Sequence, residues 1–178
     1  MQRLIRSNAG LTLMEMMTVL VIISILAVLM LPLISHLRQR ADHASCTQNL
    51  KGLHVAAANY VTDAKHWPQM DTKLTGKPEL AVIWQEIFRP YGIAPINWVC
   101  PSAQRSLGNP DVTKPKFARI DYQSTPFNAE PMTPYKWPTQ PWFAETGDFH
   151  GDGPLMIFCK GNVSSLKQFV RDHGTRKR

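Results

Sequence analysis

The chain has 178 residues, 44% of them hydrophobic and 19% charged, which is enough for one domain with a hydrophobic core and a short appendage. Its three cysteines form no CxxC pair and are too few and too scattered along the chain to predict a zinc site. The net charge of +7 includes a basic C-terminal cluster, RDHGTRKR, but short basic ends are usually solvated, so nucleic acid is not expected as a partner.

The N-terminal part combines a basic leader with a long apolar segment. Two arginines precede Gly10, and residues 16–34 contain only two polar side chains, Thr18 and Ser24. This length predicts one membrane-spanning helix, because about 20 apolar residues cross a bilayer as a helix. A buried core helix is the alternative, although such helices are rarely apolar on every face. No small-residue cleavage site follows the segment, which argues against an ordinary secretory signal.

Beyond Pro32 the pattern becomes that of an amphipathic helix. Apolar residues recur at intervals near three and four, with polar residues between them: Leu37, Ala41, Ala44, Leu50, Leu53, Ala57 and Tyr60. Pro32 removes one backbone hydrogen bond and is expected to bend the helix without ending it. We therefore expect one helix of roughly fifty residues that ends near residues 62–64.

A second, shorter helix is predicted over residues 80–91, where the apolar residues have helical spacing. Pro78 suits its first turn, and Gly92 can close it. Residues 90–141 hold ten of the fourteen prolines, so we expect irregular chain there, with a brief strand at 117–122.

A β-hairpin is predicted near the end of the chain. An apolar strand at Leu155–Cys159 leads into a turn at Lys160–Gly161 and an alternating strand over residues 162–166. Gly161 supplies the positive φ that such a tight turn requires.

The segment GLTLMEMMTVLVIISILAVLMLP resembles the prepilin-type cleavage and methylation segment of type IV pilins and pseudopilins. The matching features are a basic leader that ends in Gly10, Glu15 as the fifth residue after it, the apolar helix and Pro32. Leu11 stands where phenylalanine is usual. The resemblance implies cleavage between Gly10 and Leu11 and N-methylation of Leu11. It also fits the expected α+β fold, a long N-terminal helix packed on a small antiparallel sheet with long loops.

The rest of the chain is similar to a pilin-like branch abundant in planctomycetes and verrucomicrobia. The segments CTQNLKGLHVAAANYVTDAKHWPQ and WVCPS carry this likeness. A third segment, FHGDGPLMIFCKGNV, resembles the terminal motif of that branch, a histidine, nine residues and then Asp-Gly. His150 and Gly161 keep their places in this motif, whereas Lys160 replaces the aspartate.

The resemblance also implies a domain organisation and a location. Residues 1–10 are the leader peptide, 11–34 the transmembrane and assembly helix, and 35–178 a periplasmic or extracellular globular domain. The expected location is the bacterial inner membrane, with a single span and a periplasmic C-terminal domain, or an extracellular filament. The expected partners are further copies or other pilins, the prepilin peptidase and the inner-membrane assembly platform.

Glu15 is a lone carboxylate in an apolar segment, where an ionised group costs a few kcal/mol unless it is paired. The family resemblance implies that it pairs with the new Leu11 amine of a neighbouring subunit. Such a buried polar contact favours one register between subunits. The alternative is that Glu15 lies at headgroup level in a single-pass anchor.

The globular part contains two further candidate sites, a cysteine pair and an acidic segment. A disulfide between Cys46 and Cys100 would tie a loop to the long helix, with two buried thiols as the alternative. Cys159 is expected to be a buried free thiol in its apolar strand.

The segment ETGDFHGDG offers Asp148 and Asp152 as candidate Ca²⁺ ligands, beside Glu145 and His150. Its spacing does not fit an EF-hand, and a Gly/Asp-rich turn held by Asx hydrogen bonds is the favoured interpretation. No metal or other cofactor is otherwise expected. The histidines and serines show no catalytic spacing, so an enzyme is not expected.

The sequence thus predicts a structural subunit of a type IV pilus or of a type II secretion-like pseudopilus, processed by prepilin peptidase and assembled through its N-terminal helix. One alternative is a minor pilin or DNA-uptake pseudopilin with ligand-binding loops. Another is a membrane-anchored binding module that does not polymerise.

Overall fold

The computed structural model describes residues 12–70, 74, 78–108, 119–128 and 133–174. The predicted cleavage and methylation positions, Gly10 and Leu11, lie outside them. Contacts divide the chain into two units, residues 1–38 and 39–178.

Helix α1 spans Leu13–Ala64, 52 residues, and continues through Pro32. Its length and its end confirm the prediction from periodicity. In the first unit every described residue is exposed. Among the residues that the structure describes, α1 is the one helix long and apolar enough to cross a membrane.

In the second unit, α1 buries one face, formed by residues at helical spacing: Cys46, Leu50, Leu53, Ala56, Ala57 and Val61. The first part of the predicted face was wrong, because Leu37, Ala41 and Ala44 are exposed. The hydrophobic core takes its residues of α1 from Cys46 onward, so the three earlier residues have no core to join.

Helix α2, Pro78–Phe88, confirms the second predicted helix, and a 3₁₀ turn at Arg89–Tyr91 continues it to Gly92. Gly92 adopts φ 82°, the left-handed conformation that ends helices. A second 3₁₀ turn, Pro95–Trp98, and helix α3, Pro101–Leu107, follow.

The prediction of irregular chain was wrong for these last two segments. Both begin with a proline, and proline is favourable at a first helical position because the N–H that it lacks would be unpaired there.

The sheet has four antiparallel strands in sequential order, β1 Tyr122–Ser124, β2 Pro141–Glu145, β3 Leu155–Phe158 and β4 Val163–Ser165. The predicted hairpin is confirmed as β3 and β4, with Gly161 at φ 76° in the turn. Short helices α4, Thr133–Lys136, and α5, Leu166–Gly174, complete the described elements.

The brief strand predicted over residues 117–122 was wrong in position, because the strand begins at Tyr122. Residues 117 and 118 lie outside the described part of the chain. The N–H of Asp121 donates to the Trp98 carbonyl, and its carboxylate accepts the Cys100 N–H, both at 2.8 Å. The Asp121 N–H is therefore taken by Trp98, whereas the Asp121 carbonyl accepts the Thr146 N–H at 2.9 Å, next to the first strand pair.

The core of the second unit is aromatic. It joins α1 and α2 to the sheet through fully or nearly fully buried rings: Trp67, Trp84, Phe88, Trp98, Trp142 and Phe143. The ring centroids of Trp67 and Trp142 are 5.2 Å apart in an edge-to-face arrangement. A long helix packed on a small antiparallel sheet with long loops confirms the predicted α+β, pilin-like fold.

Candidate functional site

The first turn of α1 is held by a reciprocal pair of side chains. Oε2 of Glu15 accepts hydrogen bonds from the Thr12 backbone N–H at 2.8 Å and from the Thr12 hydroxyl at 2.9 Å. Oγ1 of Thr12 in turn accepts the Glu15 N–H at 3.2 Å. This is a capping box, which satisfies N–H groups that a helix start leaves unpaired. The T-x-x-E spacing was its sequence signal, and the prediction did not use it.

The apolar part of α1 also pairs its own polar groups. The hydroxyl of Thr18 donates to the Met14 carbonyl at 2.6 Å, and that of Ser24 donates to the Leu20 carbonyl at 2.7 Å. The helix therefore presents an apolar surface, with its hydroxyls satisfied internally. An exposed apolar surface of this length calls for lipid or for other helices around it.

A second cluster lies in the globular unit, at the cysteine pair. The structure joins Cys46 of α1 to Cys100, the residue before α3, by a disulfide, with their Cα atoms 5.4 Å apart. Cys159 is the free cysteine, and it is half-buried in the turn after β3 rather than buried in the strand as predicted.

His150 and Glu145 lie directly against this disulfide. Nε2 of His150 is 3.1 Å from Oε1 of Glu145 and 3.7 Å from Sγ of Cys100. The side chain of His150 is 4% exposed and that of Glu145 is fully buried. A buried carboxylate needs such partners, and the Leu155 N–H supplies another by donating to Oε2 at 2.9 Å.

Asp121 holds the backbone of Cys100. Its carboxylate accepts the Cys100 N–H and pairs with Arg119, whose Nε lies 2.8 Å from Oδ1. Burial raises the pKa of Asp121, and the hydrogen bond from Cys100 and the charge of Arg119 oppose this rise.

The two candidate Ca²⁺ ligands have local partners instead of facing one another. Oδ1 of Asp148 accepts the N–H groups of Gly151 at 2.7 Å and of His150 at 3.3 Å, which is the Asx turn favoured from the sequence. These backbone hydrogen bonds, that from Gly151 foremost, lower the pKa of Asp148. Asp152 pairs with Lys167 at 3.0 Å, and both side chains are exposed.

The residues of the terminal motif have separate structural roles. His150 belongs to the disulfide cluster, and the Gly161 N–H donates to the Phe158 carbonyl at 2.8 Å to close the hairpin turn. Lys160, at the position of the motif aspartate, is exposed. Nε2 of His54, on α1, lies 3.0 Å from the carbonyl oxygen of Cys159 and so anchors this turn to the helix.

The family model described as the prokaryotic N-terminal methylation motif matches residues 5–31. The chain's N-terminal segment is that of a type IV pilin-like protein. The match covers the start of the chain, so the likeness of its later part to the branch with the terminal histidine motif stays a prediction. No curated protein and no solved structure matches it.

The sequence pattern gave no sign that Glu145, His150 and the two cysteines meet. The small number and the scatter of the cysteines along the chain argued against a zinc site. The fold nevertheless brings the four ligand atoms within 4.8 Å of one another.

Proposed function

We propose that this protein is a structural subunit of a type IV pilus or of a type II secretion-like pseudopilus. Prepilin peptidase cleaves it after Gly10, and the new N-terminus at Leu11 is methylated. The segment 11–34 holds it in the inner membrane, with the globular domain in the periplasm, until the assembly platform adds it to a filament of pilin subunits. The observation that carries this proposal is the methylation motif at the head of an uninterrupted, exposed apolar helix.

The same helix serves first the membrane and then the filament. All its described side chains from residue 12 to residue 38 are exposed, and its hydroxyls are paired within the helix. Such a surface can exchange lipid contacts for contacts with neighbouring helices while the hydroxyls of Thr18 and Ser24 stay paired.

Glu15 then supplies the register. Among the described residues, both contacts from Thr12 fall on Oε2 of Glu15, so Oε1 remains for the Leu11 amine of a neighbouring subunit. The capping box holds the carboxylate in place before assembly, and the ion pair forms only when a subunit arrives at the right axial offset.

Two substitutions separate the capping role of Glu15 from its charge. In Glu15→Gln the amide still serves as the acceptor of a capping box, but the negative charge is lost. In Thr12→Val the capping hydroxyl is lost and the charge is kept. We expect both variants to insert and to be cleaved, Glu15→Gln to be absent from sheared filaments, and Thr12→Val to be incorporated.

The measurement is the fraction of each variant in pelleted filaments relative to the membrane, in a host with its assembly machinery. Normal incorporation of Glu15→Gln would exclude the intersubunit ion pair. Absence of the Thr12→Val variant alone from the filaments would show that assembly depends on helix capping and not on the charge of Glu15.

A further inference from the structure

The cluster at the disulfide has the composition of a metal site. Cys46, Cys100, Glu145 and His150 each present one ligand atom, and all four belong to the globular unit. We propose that the reduced chain binds one Zn²⁺ through these residues, and that zinc binding and disulfide formation are mutually exclusive states of one site.

The donor set favours zinc. Two thiolate sulfurs, one imidazole nitrogen and one carboxylate oxygen make four ligands of the types that Zn²⁺ takes in tetrahedral sites. Sulfur ligands disfavour Ca²⁺ and Mg²⁺, which prefer oxygen. With four protein ligands the site would be closed, which is the arrangement of a structural zinc rather than a catalytic one.

Two distances between ligand atoms are close to the edges of such a tetrahedron, and all four atoms lie within 4.8 Å of one another. With typical zinc bond lengths, neighbouring nitrogen and oxygen ligands lie about 3.4 Å apart, and nitrogen and sulfur ligands about 3.6 Å apart. The structure has 3.1 Å between His150 Nε2 and Glu145 Oε1, and 3.7 Å between His150 Nε2 and Cys100 Sγ. The two sulfurs, which are bonded to each other here, must separate to admit the ion.

Outer contacts already orient the two ligands that are not cysteines. Nδ1 of His150 lies 3.5 Å from the Ser102 hydroxyl, which leaves Nε2 for the metal. Oε2 of Glu145 is held by the Leu155 N–H at 2.9 Å, which leaves Oε1. Hydrogen bonds of this kind to the far side of a ligand are a regular feature of zinc sites.

The exchange between the two states balances with a disulfide oxidant such as oxidised glutathione. Zinc held by the Cys46 and Cys100 thiolates reacts with one glutathione disulfide. The products are the protein disulfide, free Zn²⁺ and two glutathione thiolates, so two electrons pass from the cysteines to the oxidant. Zinc would thus link Cys46 on α1 to Cys100 before the disulfide forms between them.

The test uses the full chain purified in detergent, oxidised or reduced with a phosphine under nitrogen. We expect one Zn²⁺ per reduced chain and none per oxidised chain. Co²⁺ in place of Zn²⁺ should give thiolate-to-metal charge-transfer absorption and the intense d–d bands of a tetrahedral site. Oxidised glutathione should release the zinc in step with formation of the Cys46–Cys100 disulfide.

Variants identify the ligands. His150→Gln and Glu145→Gln should each weaken zinc affinity by about tenfold or more, since loss of even an outer-shell partner costs about that much. Asp152→Asn is the matched control, because it changes an exposed carboxylate of the same loop that pairs with Lys167 outside the cluster. Cys159→Ser is the control for the third thiol, and neither control should alter the stoichiometry.

Three results would overturn the proposal. One is a reduced wild-type chain that binds no zinc, a measurement that needs no substitution. Another is equal zinc binding by the oxidised and reduced chains. The third is unchanged affinity in both His150→Gln and Glu145→Gln, with circular dichroism showing that they are folded.

Discussion

At the start of α1, the carboxylate of Glu15 already has partners within its own chain. Glu15 and Thr12 satisfy each other in the capping box, which lowers the cost of a charged group in an apolar segment. From the sequence, Glu15 was interpreted as an unpaired charge because leucine and methionine surround it. The local partner three residues earlier was missed, although its spacing is a recognised helix-start signal.

The cysteine pair is the other feature decided by single residues. Its pairing could be proposed from the sequence, since one cysteine lies on the predicted helix and the other in a loop. Glu145 and His150 could not be added to it. They lie 45 and 50 residues beyond Cys100 in the chain, and only the packing of β2 and its following loop against α1 brings them there.

Removal of the disulfide should be the most destabilising cysteine substitution. The disulfide closes a loop with a sequence separation of 54 residues. The chain-entropy relation gives about 4 kcal/mol of stabilisation for a cross-link that closes a loop of that size. We expect the double variant Cys46→Ala/Cys100→Ala to lose about that much free energy of unfolding in urea under oxidising conditions. Cys159→Ala, which removes the free half-buried thiol, is the control. A double variant as stable as this control would show that the cross-link does not constrain the unfolded chain.

At the scale of elements, periodicity predicted α1, α2 and the β3–β4 hairpin, and the structure confirms all three. The α3 segment and the position of β1 were mispredicted for a physical reason. Proline-rich chain reads as irregular, yet prolines at first helical positions start the 3₁₀ turn at Pro95 and the helix at Pro101. Asp121, the residue before β1, bonds to Trp98 and Cys100, and a local pattern cannot show such contacts.

Substitution by alanine should have opposite effects on stability at two glycines. Gly161 adopts φ 76° in the hairpin turn, and an L-residue there costs about 1–2 kcal/mol. Gly52 lies inside α1, where alanine is favoured by about 0.5–1 kcal/mol, and its added Cβ would make ordinary contact with Ile93 at 3.6 Å.

We therefore expect Gly161→Ala to lower the melting temperature and Gly52→Ala to raise it, as measured by circular dichroism. A Gly161→Ala protein that melts at or above the wild-type temperature would contradict the turn conformation assigned here.

At the scale of the whole molecule, the described hydrophobic core lies entirely within residues 46–158, inside the second unit. We expect a fragment that starts at Gln39 to fold without detergent, with one cooperative thermal transition and the Cys46–Cys100 disulfide. Near-ultraviolet circular dichroism tests this through the buried tryptophans. A fragment with helical far-ultraviolet signal but no near-ultraviolet signal would show that fixed packing needs the apolar helix as well.

Processing is the claim on which filament assembly rests, because the Leu11 amine exists only after cleavage. The direct measurement is the N-terminal sequence and intact mass of the protein recovered from its native membranes. The account predicts a chain that begins at Leu11 with one added methyl group. A chain that still begins at Met1 would leave Glu15 without its partner amine and would contradict the account in favour of a membrane-anchored binding module.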